Sequence, residues 1–300
     1  MRYHPLRLKD RILFDKFLRR RGYELSTYTF ANIYIWKDLF KIFWAIIENN
    51  LCIFFQDKIG SFLYLPPLGE RQSADLIERC FAIMDGFNLN AETSRIENAQ
   101  EEDLKFYQSL GYECVYKGCD YVYQSGRLIG LKGNAFKSQR AGLNYFFKHY
   151  RFDYQPFCLR HKKDCLALYR EWMDSRRQKS PDPVYRGMLQ DGLVAQKQAI
   201  DNYRELGLIG RIVRINKRIK GYTFGLPLNK DTFCILFEIT DLNFKGISQF
   251  IFQRFIQELR DYRYINVMDD SGLENLRRVK LSYRPVKLIP SYIVKRRFDA

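Results

Sequence analysis

The sequence predicts an α/β protein made of two similar units in tandem. Strand-like and helix-like patterns alternate in both halves of the chain, as expected where sheets and helices share layers. The 300 residues are 46% hydrophobic and 16% aromatic, which is enough apolar material for substantial cores and argues against disorder. A late stretch, YINVMDDSGLENLRRVKLSYRP (264–285), also echoes an earlier one, RIENAQEEDLKFYQSLGYECVY (95–116). At a constant offset of 171 positions Leu110 falls on Leu281, Tyr112 on Tyr283 and Tyr121 on Tyr292, with strand, helix and strand in the same order. The expected boundary puts one unit in residues 1–150 and the other in 151–300.

In the first unit, YTFANIYIW (28–36) puts Tyr28, Phe30, Asn32, Tyr34 and Trp36 on one parity, which suits a strand. Asn32 among the aromatics and the following KDLFKIF leave a helix open. LCIFFQ (51–56) and SFLYLPPL (61–68) read as strands, the second ended by Pro66-Pro67. ADLIERCFAIMDGF reads as a helix because Leu76, Ile77, Cys80, Phe81 and Met84 share a face, with Ser73 as N-cap and Gly86 as stop. RIEN then reads as a strand, EEDLKFYQSLG as a helix, and YECVYK and DYVYQ as two strands. KGNAFKSQRAGLNYFFKHY (132–150) reads as a basic connecting helix.

In the second unit, DCLALYREWMDSRR and VAQKQAIDNYRELG are amphipathic helices, separated by the loop SPDPVYRG with Pro181 and Pro183 as breakers. LIGRIVRI and IKGYTFGLPL flank a turn at Asn216–Arg218 and predict a hairpin. TFCILFEIT reads as a buried strand. ISQFIFQRFIQEL is helical, with Ile247, Ile251, Phe255 and Leu259 four apart. The 264–285 stretch closes the unit as strand, turn and helix, followed by a last strand at SYIVKR.

The 50 Lys and Arg outnumber the 34 Asp and Glu, for a net charge of +16 spread along the chain. Such an excess favours polyanionic partners: tRNA or other nucleic acid, anionic lipid, or a phosphate-rich cofactor. The seven cysteines form no CxxC, and His4, His149 and His161 lack ligand-like spacing, so neither a metal site nor disulfides are expected. MRYHPLRLKDR carries no apolar signal core, and LFKIFWAII (39–47) falls far below the ~18 apolar residues of a membrane span. The expectation is a cytoplasmic protein with peripheral membrane contact as its only membrane option.

YTFANIYIW, the 132–150 helix and above all IN-x3-D-x-G-x3-LRR-x-K-x2-Y-x-P resemble the DUF2156 family, whose members are similar to the C-terminal catalytic domain of lysylphosphatidylglycerol synthases. The matched residues are Asn266, Asp270, Gly272, Leu276, Arg277, Lys280, Tyr283 and Pro285, with Lys137, Arg140 and Asn144 in the helix. The resemblance covers nearly the whole chain. It implies two tandem GNAT-like (acyl-CoA N-acyltransferase-like) modules, as in Fem-type aminoacyltransferases, with the second module catalytic. The implied activity is transfer of an aminoacyl group from aminoacyl-tRNA to an amine or hydroxyl acceptor. Acyl-CoA is the alternative donor, and a non-enzymatic module binding RNA or anionic membrane is a further reading.

Acyl transfer needs a proton acceptor, stabilisation of the oxyanion and a grip on a phosphate-rich donor. In acetyltransferase-like folds a helix N-terminus supplies that grip. Here the corresponding turn is Asn243-Phe244-Lys245-Gly246-Ile247-Ser248, where Gly246 and Ser248 are small and Lys245 is charged. It matches the R/Q-x-x-G-x-G/A pattern loosely, which weakens coenzyme A as donor. Glu238, a carboxylate inside an apolar strand, is either a general base facing a cleft or an exposed strand residue. Asp269 and Asp270 stand where a strand gives way to a helix; one is expected to cap it, and Asp270 is also a catalytic candidate. Arg277 and Lys280 share a helix face, with Lys280 the third catalytic candidate. Lys137, Arg140, Lys148 and Arg151, interleaved with aromatics, suit a tRNA or lipid-phosphate surface.

Overall fold

The computed structural model describes residues 2–298. The chain runs through strand β1 (His4–Pro5), helices α1 (Arg11–Leu18) and α2 (Phe30–Tyr34), and strands β2 (Lys41–Ile47), β3 (Asn50–Gln56) and β4 (Ser61–Leu63). Helix α3 (Ala74–Asp85), strand β5 (Arg95–Ala99), helix α4 (Leu104–Ser109) and strand β6 (Glu113–Gln124) follow. Next come α5 (Ser125–Gly130), α6 (Lys137–His149), β7 (Asp153–Pro156), α7 (Lys162–Lys179) and α8 (Pro183–Asp201). The rest is β8 (Ile209–Ile215), β9 (Arg218–Pro227), β10 (Thr232–Thr240), α9 (Ile247–Glu258), β11 (Tyr264–Asn266), α10 (Glu274–Ser282) and β12 (Lys287–Lys295).

The chain gathers into two compact units. One holds residues up to Asp120 together with those from Ile289 onward; the other holds Tyr121–Leu288. The boundary expected at residue 150 therefore falls inside the second unit. In the first unit β2, β3 and β4 form an antiparallel meander, α3 crosses over, and β5 lies parallel to β4. In the second unit β8, β9 and β10 form the meander, α9 crosses over, and β11 lies parallel to β10. The sequence echo falls on the elements that follow, β5, α4 and β6 in one copy and β11, α10 and β12 in the other. The closing strands are exchanged along the chain: β12 pairs antiparallel with β5, and the end of β6 pairs antiparallel with β11.

Local chemistry accounts for the elements. Ser73 caps α3, its hydroxyl accepting from Leu76 N–H, and all five predicted apolar residues of that helix are buried. Asn216 and Lys217 both take positive φ, which gives the β8–β9 hairpin a turn whose twist matches its strands. In the second unit, Phe157, Tyr169, Ile212, Tyr222 and Phe224 belong to one buried cluster.

Of the two readings open for YTFANIYIW, the helix is the one adopted: Phe30–Tyr34 form α2, capped by Thr29, and Asn32 is buried because its amide donates to Ser26 O while Oδ1 accepts from Tyr64 Oη. Several elements differ from expectation. KIFWAII is strand β2. YECVYK and DYVYQ form a single strand, β6. Regular strand ends at Leu63 in SFLYLPPL. The SPDPVYRG loop is shorter than expected because Pro183 starts α8, with Asp182 accepting from Val184 N–H. Proline at a first helical turn costs no hydrogen bond.

Candidate active site

Strands β10 and β11 run together only from Thr232–Cys234 against Tyr264–Asn266. Beyond Asn266 the chain leaves the sheet, whereas β10 continues to Thr240. The parting opens a cleft of about 640 Å³ in the second unit, walled by β10, the loop after β11, and parts of α6, α9 and α10. A bulge between Ile235 and Phe237 shifts the register of β10 against β9, which re-aims every side chain after it.

Glu238 lies past that bulge and lines the cleft. Its Oε2 is sealed from solvent and has no hydrogen-bond partner among the described residues. Burial alone raises its pKa from 4.5 to about 8, so the carboxyl is mostly protonated at neutral pH. A buried, unpaired acid is costly to fold around, and such perturbed groups concentrate at functional sites.

Lys280 projects from α10 into the loop that follows β11. Its Nζ donates to Val267 O at 2.6 Å, to Met268 O at 3.1 Å and to Asp269 O. The ammonium thus fastens three successive carbonyls, and it also lies 5.5 Å from the Tyr121 ring. Buried Asn266 holds the same loop, its Oδ1 accepting from Met268 N–H at 2.7 Å. Met268 and Ser271 both adopt positive φ, a conformation that L residues seldom take and that surrounding contacts must enforce. Asn266 and Lys280 therefore shape one cleft wall.

Tyr283 lines the cleft with its ring 4.9 Å from Phe252; burial and the nearby Glu238 carboxyl push its phenol pKa up, so it stays a proton donor. Ser248 at the start of α9 also lines it, sharing a 2.7 Å hydrogen bond with Thr240. Gly246 has a different reason to be small. Its φ is +89°, and a Cβ there would lie 2.0 Å from Gly142 O of α6. The glycine lets two helices touch backbone to backbone, a packing role that needs no phosphate.

The family model for the phosphatidylglycerol lysyltransferase C-terminal domain matches residues 18–295. The chain belongs to that family. It is accordingly an acyltransferase of the phosphatidylglycerol lysyltransferase type. No curated protein sequence matches it significantly. Among solved structures, a conserved protein of unknown function from Bacteroides thetaiotaomicron is 24% identical, with a TM-score of 0.87 over 98% of this chain and 99% of that one. L-PGS from Bacillus licheniformis is 15% identical, with a TM-score of 0.63 over 96% and 92%. A tandem GNAT protein from the clavulanic acid biosynthesis pathway, 8% identical, reaches a TM-score of 0.50 over 100% and 99%. The expected tandem GNAT-like fold is thus the fold of this chain.

Of the sequence-predicted site residues, Glu238, Ser248, Lys280 and Tyr283 line the cleft together. Asn266 supports it from behind. Asp270 does not line it: Oδ2 accepts from Tyr121 Oη at 2.5 Å and Oδ1 from Gly272 N–H at 3.0 Å. The N-cap position of α10 is Leu273, so the expected aspartate cap is instead a turn-closing contact. Asp269, its neighbour, does line the cleft. Arg140 bonds the carbonyls of Leu131 and Gly133 and fixes the loop before α6. Lys137, Asn144, Lys245 and Arg277 lie outside the cleft lining. Lys137, Asn144, Lys245 and Arg277 are all exposed. Lys245 lies 4.7 Å above the Tyr145 ring.

Gln139, Gln249 and Met268 are cleft residues that sequence reasoning passed over. Gln139 is buried, donates from Nε2 to Ser282 O and Oγ, and leaves Oε1 without a partner. A glutamine on an otherwise buried helix stripe was the available signal. Among the described residues no cluster of three or more His, Cys, Asp or Glu side chains could hold a metal, and no helix is long and apolar enough to cross a membrane.

Proposed function

We propose that the β10–β11 cleft transfers an aminoacyl group from aminoacyl-tRNA to an amine or hydroxyl acceptor, with Glu238 as the proton acceptor. The observation that carries this reading is the Glu238 carboxyl, which lines the wedge between two parting strands with its Oε2 unpartnered. The acceptor attacks the ester carbonyl, a bond to carbon forms, and its proton passes to Glu238. The ester C–O bond then breaks, and the leaving oxygen takes a proton from the Tyr283 phenol. A base with a pKa near 8 is well matched to that task near neutral pH. The net charge of +16 supports a polyanionic donor, and Lys137, Lys245 and Arg277 are exposed cations for binding it. The close approach of Gly246 to Gly142 gives that glycine a role without a pyrophosphate, so it lends coenzyme A no support.

The test is incubation with charged tRNA and separately with acyl-CoA. Aminoacyl transfer or deacylation that requires Glu238 is the expected result. Turnover of acyl-CoA alone, or no salt-dependent binding of tRNA, would overturn the choice of donor.

A further inference from the structure

Met268 takes a backbone conformation that suits glycine. Its φ is +62°, which strains an L residue and leaves a glycine relaxed. Both of its backbone polar groups are held. The N–H donates to Asn266 Oδ1 at 2.7 Å, and the carbonyl accepts from Tyr121 N–H at 3.2 Å and from Lys280 Nζ at 3.1 Å. Tyr121, buried on β6, also holds the residues on either side. Its carbonyl accepts from Val267 N–H at 3.0 Å, and its hydroxyl donates to Asp270 Oδ2 at 2.5 Å.

These bonds fasten the loop but do not require a methionine. They would hold a glycine equally well, with less strain. A side chain kept at such a position is kept for what it touches, and Met268 lines the cleft. The lining also includes the apolar side chains of Leu236, Phe252, Val267 and Leu276. Ser271, a second lining residue with positive φ, is short and exposed.

We infer that Met268 sets the length of the apolar group that the cleft accepts, and that Tyr121 is the positioning residue that holds it in place. The inference rests on the proposed acyl-transfer site and adds its size limit. A methionine side chain is long, unbranched and apolar, and fills space that shorter residues leave open. One methylene too many in an apolar pocket changes kcat/KM by about tenfold or more. The group so measured is an unbranched alkyl chain, carried either by the acceptor or by the amino acid.

The experiment reads chain-length profiles of the intact protein. Calorimetry gives binding without tRNA or turnover, using n-alkanols from ethanol to n-octanol and the amides of alanine, norvaline and norleucine. Transfer assays give kcat/KM for the same alcohols as acceptors, and for tRNA charged with the same amino acids. The wild type should fall off beyond a limiting length in one of the two series. Met268→Ala should move that limit out by roughly three carbons, the part of the side chain removed, and raise kcat/KM for the first excluded compound at least about tenfold. Met268→Gly should move it in the same way and melt above Met268→Ala, because it also relieves the positive φ. Tyr121→Phe keeps the backbone bonds and loses the one to Asp270, so the drop across the limit should shrink about fivefold. A shift among the alcohols alone sets Met268 against the acceptor, among the amino acids alone against the aminoacyl side chain, and in both against a space the two share. A shift in neither series overturns the inference. A Tyr121→Phe protein that melts lower with an unchanged profile overturns the positioning role. A limit that moves in binding while charged tRNA gives no transfer would keep this inference and remove the transfer reading. Transfer with the same limit in every variant would do the reverse.

Discussion

Glu238→Gln should make the protein more stable at neutral pH, and the size of the effect follows from the burial of the carboxyl. In the folded chain its pKa is about 8, against 4.5 for a free glutamate. Between those values the native state holds a proton that the unfolded chain has released. Stability therefore falls as pH rises through this window. Each pH unit inside it is worth ~1.4 kcal/mol, so the interval from 4.5 to 7 amounts to about 3 kcal/mol. Glutamine has nearly the same shape and no charge to desolvate. Urea denaturation of both proteins from pH 4.5 to pH 8 should show a difference near zero at the acid end that grows to about 3 kcal/mol at pH 7. Comparing the two proteins cancels the other titrating groups. A difference that stays flat with pH would refute the claim that Glu238 is buried without a partner. The stability forgone is what a folded protein tolerates at a site kept for chemistry.

Other substitutions test the rest of the site. Lys280→Met leaves the Val267, Met268 and Asp269 carbonyls without their shared donor and should cost roughly 3 kcal/mol by chemical denaturation; lost activity at unchanged stability would point instead to a direct chemical role. Gly246→Ala combines a positive φ with a collision against Gly142 O, and should lower stability by about 2 kcal/mol or more in a thermal melt. Tyr283→Phe removes the leaving-group donor and should reduce kcat about a hundredfold with little change in melting temperature. Charge reversal at exposed Lys137 and Lys245 should weaken tRNA binding and flatten its logarithmic dependence on salt by about one unit for each phosphate that is no longer neutralised.

Much of the fold was legible because periodicity and capping are local. The face Leu76, Ile77, Cys80, Phe81 and Met84, the series Ile247, Ile251, Phe255 and Leu259, and the Asn216–Lys217 turn declare themselves within a few residues. Failures came where tertiary structure overrides the local pattern. Asn32 looked misplaced on an aromatic stripe because its partners, Ser26 and Tyr64, are not apparent from the stripe itself. Pro183 looked like a breaker, yet it sits at the one helical position that suits proline. The exchange of β6 and β12 depends on pairings between strands far apart in sequence, which no local signal records.

The candidate site was legible in part for the same reason. Glu238 stood out as an acid in an apolar strand, but which way it faces depends on the bulge after Ile235. The sequence marked Lys280 and Asp270 through their resemblance to a family motif, and a motif does not separate shaping from chemistry. Their bonding partners do: Lys280 fastens a loop, while both carboxylate oxygens of Asp270 are taken by Tyr121 and Gly272. Gln139 was missed because an orphaned amide oxygen is a property of packing.

The central claim is that Glu238 accepts the proton in acyl transfer, and single-turnover kinetics test it most directly. The rate of amino-acid transfer from charged tRNA to n-butanol, an acceptor that does not titrate in this range, should be measured from about pH 6 to about pH 9 for wild type and Glu238→Gln. For wild type the rate should climb about tenfold per pH unit and level off near pH 8, where Glu238 titrates, and the variant should be at least about a hundredfold slower with no such inflection. A variant that transfers at the wild-type rate, with the same pH profile, would contradict it.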